Sequence, residues 1–287
     1  MAPRTAVPTG GAPARAAGRP WRDAWASLVL AAGGIPIVFP FLWMLATALK
    51  TPQEIFEPHF WPHTPTLANV REVLLATQFP RWFGNSLGIA LGTTASVAFF
   101  DSLVGYTLAK LRFPGREVIF GIILSTLMIP TEMLVIPWYV MSARLGWIDT
   151  YWGIMFPGLM SAFGVFLMRQ FMAGVPDELL DAGRIDGVSE FGLFARIAVP
   201  LVRPALAALC IFTFLGNWNA FLWPLIVIQT PAMRTLPVGI ALFSGEAGSS
   251  WHLIMAASSL AVLPVLAVFV LLQRHIIEGI VLTGLRT

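Results

Sequence analysis

Long stretches without a single charged side chain constrain this sequence more than any other feature. No Asp, Glu, Lys or Arg occurs between Asp23 and Lys50, Arg81 and Asp101, Asp149 and Arg169, Arg203 and Arg234, or Glu246 and Arg274. A sixth run, from Val118 to Ala143, is interrupted only by Glu132. A helix crosses the hydrocarbon of a bilayer with about 20 apolar residues, so each run is long enough to span. The spacing places spans at 25–49, 83–109, 118–141, 151–171, 205–229 and 251–273. Only 11% of residues are charged and 57% are hydrophobic, whereas a soluble domain carries about 25% charge. A water-soluble fold is excluded. The expected class is an all-α membrane protein with six transmembrane helices.

The net charge of +3 comes from scattered basic residues, with no stripe suited to nucleic acid. The single cysteine, Cys210, lies in an apolar run, so neither a disulfide nor a cysteine-based zinc site forms within one chain. No metal site is expected. Thirteen of the 18 basic residues fall on one side if both termini are cytoplasmic, which sets that orientation by the positive-inside bias. Residues 1–24 are rich in Pro, Ala, Gly and Arg without helical periodicity and read as a disordered cytoplasmic tail. Residues 50–80 form the longest external loop, rich in proline with little helical pattern, and residues 274–287 form a cytoplasmic C-terminal tail. Gly84, Gly88 and Gly92 repeat every fourth residue and permit close helix packing, either within the chain or against a second subunit. Prolines 36, 40, 130, 137, 157, 224 and 264 lie in or near spans and predict kinks.

The most informative segment is 173–204, between the fourth and fifth spans of the 81–273 core. It reads as two short helices. Pro176 suits a helix start, Asp177 and Glu178 complement the positive end of the dipole, and Gly187 suits a left-handed stop. Ser189 caps the second helix and Pro200 ends it. Leu179, Leu180, Ile185, Phe191 and Phe194 are interleaved with charges, a face that calls for a packing partner. The segment resembles the coupling-loop signature of ABC importer permeases: E-A-A, three residues, Gly, nine residues, Ile, one residue, Leu-Pro. Here it runs Asp181-Ala182-Gly183, Gly187, Ile197 and Val199-Pro200 with the spacing intact. Asp181, Gly183 and Val199 replace the acid, the second alanine and the leucine. Tyr106 to Arg116, Met128 to Pro130, Phe166 to Phe171, Trp218-Asn219, Phe221 to Pro224, and Gln273-Arg274 with Glu278-Gly279 are similar to the carbohydrate-importer branch, the second permease subunit of maltose-type systems. In that branch an acid often follows Trp-Asn, where this chain has Ala220.

The resemblance implies a type I permease fold in a bacterial or archaeal cytoplasmic membrane. It implies a homologous second permease, two cytoplasmic ATPases docked on the coupling loops, and an extracytoplasmic solute-binding protein that delivers a sugar or oligosaccharide; glycerol phosphate or a polyol is the alternative substrate class. No G-x-x-x-x-G-K-[ST] phosphate loop is present, so the chain is no enzyme, binds no cofactor, and leaves ATP and Mg to the partner ATPases. Leu179, Leu180 and Ile185 are expected as apolar ATPase contacts, with Asp181 and Asp186 meeting partner cations. Glu132 faces either the pathway or a partner helix, and Asp101 serves structure or an interface. Asn217, Trp218 and Asn219 either stack on and hydrogen-bond a sugar or bond between helices. His252 and His275 lie at span ends. An ion-coupled secondary transporter using Asp101 or Glu132 and a membrane-embedded enzyme are the rival classes, and the coupling signature argues against both.

Overall fold

The computed structural model describes residues 20–245 and 248–284. The expected N-terminal tail therefore lies outside the described residues up to position 19, and helix α1 (Pro20–Ala48) begins ahead of the expected start at 25. The chain divides into one unit ending at Trp43 and another beginning at Met44. In α1 the side chains of Leu28, Leu30, Ile35 and Ile37 are exposed, which suits a helix whose solvent is hydrocarbon.

The stretch expected as an irregular loop contains helix α2 (Ala68–Ala76). Its buried face carries Asn69 and Val73. The Asn69 side-chain amide donates to the carbonyls of Ala48 and Lys50 at 2.8 and 2.7 Å, satisfying acceptors that the end of α1 leaves open. Proline-rich flanks had masked this short apolar pattern.

Helix α3 (Phe79–Lys110) is the axis of the larger unit. Around it follow α4 (Arg116–Thr126), α5 (Val135–Arg144), α6 (Tyr151–Met155) and α7 (Ala162–Ala173). Next come α8 (Asp177–Ile185), α9 (Glu190–Leu193), α10 (Val199–Leu201) and α11 (Arg203–Trp218). The chain closes with α12 (Leu222–Val227), α13 (Leu236–Ala241), a two-residue hairpin pairing Ser244–Gly245 with Gly248–Ser249, and α14 (Trp251–Gly284). Of the C-terminal segment expected as a separate tail, residues 274–284 continue α14 as helix and the last three lie outside the described residues.

Three helices among the described residues are long and apolar enough to cross a membrane unaided: Ser27–Ala48, Phe79–Lys110 and Trp251–Leu271. Three bent pairs bring the total to six, with bends of 92° between Arg116–Thr126 and Thr131–Arg144, 46° between Tyr151–Gly158 and Ala162–Ala173, and 85° between Glu190–Leu201 and Arg203–Trp218. Six apolar runs thus give a helical fold in which the third and fourth spans are bent at a break, while the 85° bend joins the segment 173–204 to the fifth span. Proline accounts for the breaks chemically. Pro130 stands at the first and Pro157 within the turn before the second, where each lacks the amide that an unbroken helix requires. The fifth span, expected as one helix over 205–229, stops at Trp218 and resumes at Leu222. Pro224 has no N–H for the Ala220 carbonyl, so a continuous helix would leave that acceptor unpaired.

The two largest buried apolar clusters sit toward opposite ends of α3 in the larger unit. One joins Val97 and Tyr106 of α3 to Met168 and Met172 of α7, Leu180 of α8, Leu193 of α9 and Leu209 of α11. The other, toward the opposite end of α3, joins Phe79, Trp82 and Ala90 to Val73, Phe214, Trp218, Leu236 and Ala257. Asp101 is fully buried on α3, and its carboxyl oxygens accept from the Ser161 amide at 3.2 and 3.1 Å. Ser161 is the N-cap of α7 and its hydroxyl accepts from Gly164 N at 2.8 Å. Asp101 therefore ties α3 to the positive end of α7 at the 46° break, the structural one of the two roles open to it from sequence.

Close approach of α3 and α7 rests on Gly105, where a Cβ would lie 2.8 Å from both Arg169 N and Met168 Cβ. We expect Gly105→Leu to force these backbones apart, costing about 1–3 kcal/mol or more as overpacking does. A lower thermal-unfolding midpoint in detergent checks this; a midpoint equal to the wild type contradicts the packing.

Candidate functional site: the two-helix segment and the aromatic cavity

The segment 173–204 folds as its residue types dictate. Pro176 stands in extended conformation before α8, with Asp177 and Glu178 in the first turn. Gly187 takes a φ of +78°, the left-handed conformation that favours glycine. The Ser189 hydroxyl then accepts from Gly192 N at 3.2 Å, capping α9. Between α9 and α10 the chain runs through a π turn, Phe194–Ala198. Pro200 cannot donate to the carbonyl of Arg196, and the widened turn precedes it.

Gly183 explains why a small residue stands there. A Cβ on it would lie 2.5 Å from Leu193 Cδ2 and 3.1 Å from Ile197 Cδ1, so α8 packs directly on α9 and the π turn. Ile197 packs in turn against the buried cluster. The fixed spacing between Gly183 and Ile197 is the length of chain needed to leave α8, turn at Gly187 and return.

Charged groups bind this unit to α3. The Tyr106 hydroxyl donates to Glu190 Oε2 at 3.1 Å. Arg184 donates to both Glu190 oxygens at 2.7 and 3.2 Å and to Asp181 Oδ1 at 2.6 Å. Lys110 Nζ donates to the Val175 carbonyl at 2.5 Å and to Asp177 Oδ1 at 2.6 Å. Bonding to Glu190 first, and to Asp181, holds the Arg184 guanidinium above its ordinary range. The Lys110 ammonium holds the Asp177 carboxyl below its own.

Burial divides the expected coupling residues. Leu179, Asp181, Ala182, Ile185, Asp186 and Gly187 are exposed, Ile185 by 86%. Leu180, expected as an apolar partner contact, is instead buried at 1% exposure in the chain's own core. Residues 179 and 180 sit about 100° apart on a helix, so they cannot share one face. Asp181 is paired with Arg184 within the segment. Gly183 is buried, and Ile197 and Pro200 are half-buried. Phe191 is exposed and, with Gly187, Val188, Ser189, Gly192, Ala195 and Arg196, lines a surface hollow of about 460 Å³.

A second site lies within the larger unit. A cavity of about 190 Å³ is bounded by Ile89, Thr131, Trp138, Asn217, Ala220 and Trp223, among others. Trp223 packs edge-on against Trp138 at 5.7 Å and Phe156 at 6.0 Å, and its indole donates to Gly153 O at 3.0 Å. Of the three consecutive residues expected on the pathway, only Asn217 reaches this cavity. Trp218 is buried: it stacks on Phe214, meets Phe83 edge-on, and donates to Ala261 O at 3.2 Å. That removes it as a sugar platform. Asn219 is exposed, its amide returned to Leu215 O of its own helix at 2.9 Å. Glu132 is exposed in the 3₁₀ turn at the 92° break; its neighbour Thr131 lines the cavity and Glu132 does not. Sequence reasoning missed both Trp138, which nothing marked, and Trp223, which stood in the Phe221 to Pro224 segment noted for its family likeness. Among the glycines expected to pack helices, Gly92 faces Met155, while Gly84 and Gly88 are exposed with open space beside them.

Comparison with known proteins gives concordant results. The family model "Binding-protein-dependent transport system inner membrane component" matches residues 101–281. The arabinooligosaccharides transport system permease protein AraQ of Bacillus subtilis (strain 168) is 40% identical over 206 residues, 72% of this chain and 73% of the relative. The lactose transport system permease protein LacG of Rhizobium radiobacter is 34% identical, covering 88% and 92%. The sn-glycerol-3-phosphate transport system permease protein UgpE of Pectobacterium atrosepticum is also 34% identical, covering 90% and 96%. In fold, the chain is similar to a chain from the crystal structure of a bacterial ABC transporter involved in import of the acidic polysaccharide alginate. That match has a TM-score of 0.80 at 20% identity and covers 92% of this chain and all of the other.

The Lys110–Asp177 pair yields a pH signature. A carboxyl group whose pKa is depressed by folding stabilises the native state above its unfolded pKa, and that contribution fades as pH falls through the native value. The thermal midpoint of the wild type is expected to exceed that of Asp177→Asn at neutral pH. The difference should shrink below about pH 4. A difference that persists unchanged in stronger acid rules out the ion pair as its source.

Proposed function

Since the chain belongs to the family of binding-protein-dependent transport system inner membrane components, and is therefore the translocation subunit of an ABC importer, we propose how its segments divide the work. The exposed side of α8 and α9, with Leu179, Ile185 and Phe191 around the hollow beside Gly187, docks a cytoplasmic ATPase. This reading rests on one observation above all: large apolar side chains project from a short two-helix unit whose other side is locked to α3 by buried packing, the Lys110–Asp177 ion pair and the Tyr106–Glu190 hydrogen bond. ATP and Mg belong to that partner. Closure of two ATPases would pull the docked segment sideways, and the Tyr106–Glu190 and Lys110–Asp177 links would carry the displacement into α3 instead of letting the loop flex.

The orientation follows from the basic residues. With α8 cytoplasmic, both termini are cytoplasmic, and the 50–80 loop faces outward, as does the junction where Gln229 N donates to Asp149 Oδ1 at 2.9 Å. A homologous second permease completes the pathway, and an extracytoplasmic binding protein delivers the substrate. The substrate is a sugar or oligosaccharide: the indoles of Trp138 and Trp223 provide a stacking surface, and Asn217, whose Nδ2 donates to Thr213 O at 2.9 Å, provides its Oδ1 as an acceptor for a pyranose hydroxyl. Relatives named for arabinooligosaccharides, for lactose and for sn-glycerol-3-phosphate bracket the chemistry, and glycerol phosphate is the second reading.

Ile185→Asp removes an exposed apolar contact without disturbing the core. We expect the protein to insert at normal levels while co-purification of the ATPase and ATP-driven uptake in reconstituted vesicles both fall at least tenfold, about 1.4 kcal/mol or more of docking energy. Full docking and uptake in this variant would falsify the assignment of the α8 face. Independently, a cysteine at Gln53 should react with an impermeant maleimide in intact cells and one at Ser189 should not; the reverse pattern inverts the topology.

A further inference from the structure

The loop between α1 and α2 gathers side chains that the transport reading does not use. One donor atom each from Glu57, His59 and His63 lies within 4.8 Å of the others. His59 Nδ1 stands 3.4 Å from Glu57 Oε2, and the two imidazole centroids are 4.2 Å apart. Glu57 and His63 are exposed and His59 is half-buried, giving an entry path and room for a further ligand from solvent.

We propose that Glu57, His59 and His63 form a binding site for a divalent transition metal of the zinc class. Two imidazoles and one carboxylate suit Zn²⁺, whereas Mg²⁺ and Ca²⁺ prefer all-oxygen sets. Tetrahedral zinc with bonds of about 2.0–2.2 Å places its donors about 3.3–3.6 Å apart. The Glu57–His59 pair already has that separation, and rotation of the exposed side chains closes the rest. Three protein ligands leave the fourth position to water, the arrangement of an open rather than a sealed site.

The backbone is organised for this. Pro58 separates the first two ligands and Pro62 precedes the third, fixing φ at both places. The Lys50 ammonium donates to the carbonyls of Glu57 at 3.2 Å and His59 at 2.6 Å, holding the first two ligands in register. Thr66 N donates to Leu49 O at 2.9 Å and closes the base of the loop. Lys50 adds a positive charge nearby, which keeps affinity moderate. A bound ion would clasp residues 57 and 63 and stiffen the loop.

The full-length chain, purified in detergent with a tag free of histidine and stripped with a chelator, is titrated with Zn²⁺ against a chromophoric competitor at about pH 7.5, above the ordinary imidazole range. We expect saturable binding of one ion per chain. His59→Ala, His63→Ala and Glu57→Gln should each weaken it at least about tenfold, since even outer-shell changes at zinc sites cost about 10–100-fold. Absence of saturable binding, or wild-type affinity in any one of the three variants, overturns the three-ligand site. In the wild-type chain Zn²⁺ should also shield His59 and His63 from acylation by diethyl pyrocarbonate. Modification unaffected by Zn²⁺ overturns the proposal without reliance on any variant.

Discussion

Hydrocarbon cannot hydrogen-bond a peptide group, so each interruption of a spanning helix needs a partner from within the protein. Half of the spans here are interrupted, and the structure is largely an account of how the freed groups are answered. The deepest answer is Asp101. Its buried carboxyl accepts from the Ser161 amide at the start of α7, and the absence of a side chain on Gly164 leaves it room. The same logic recurs toward the other end of α3. There the Asn85 amide donates to the carbonyls of Ala232 and Arg234 at 2.9 Å, and Ser86 Oγ accepts from Leu236 N at 2.7 Å. Short polar side chains on one long helix thus serve the irregular chain packed around it.

That division of labour anchors some parts more heavily than others. Helix α3 carries polar anchors for the 46° break, for the 228–236 connection and, through Tyr106 and Lys110, for the α8–α9 unit. Under the proposed docking, a push on the two-helix unit would pass to α3 and, through Gly105 and Asp101, to α7. By contrast, the 92° bend between α4 and α5 has Thr131 and Trp138 on the cavity and exposed side chains at Met128, Met133 and Ile136. It borders the cavity with far less buried surface to hold it.

The signature spacing acquires a physical meaning in this frame. Gly183 permits contact with Leu193 and Ile197, Gly187 supplies the positive φ, and Pro200 follows the π turn that delivers the chain into α11. These positions shape the hairpin from inside. The large apolar side chains presented outward, Ile185 and Phe191, are not signature positions, while the signature's Asp181, Ala182 and Gly187 are exposed beside them.

From the sequence alone came six apolar runs, the helical membrane class, the Ser189 cap and Gly187 stop of the two-helix segment, and the likeness to importer permeases, whereas Pro200, expected to end the second helix, lies inside α10. Each depends on chain-local rules: hydrocarbon thickness, proline and glycine geometry, and fixed spacing. Tertiary structure decided which side of a helix meets which neighbour. Leu180 went inward while Leu179 stayed out, Asp181 paired with Arg184, and Trp218 entered the core while Asn217 lined the cavity. Trp138 and Trp223 met from α5 and α12, and Glu57, His59 and His63 converged in a loop that periodicity could not resolve. The reason is physical: in spans with apolar residues all round, hydrophobicity no longer marks the buried face, and only the packing of other helices and the demands of unpaired backbone groups select it.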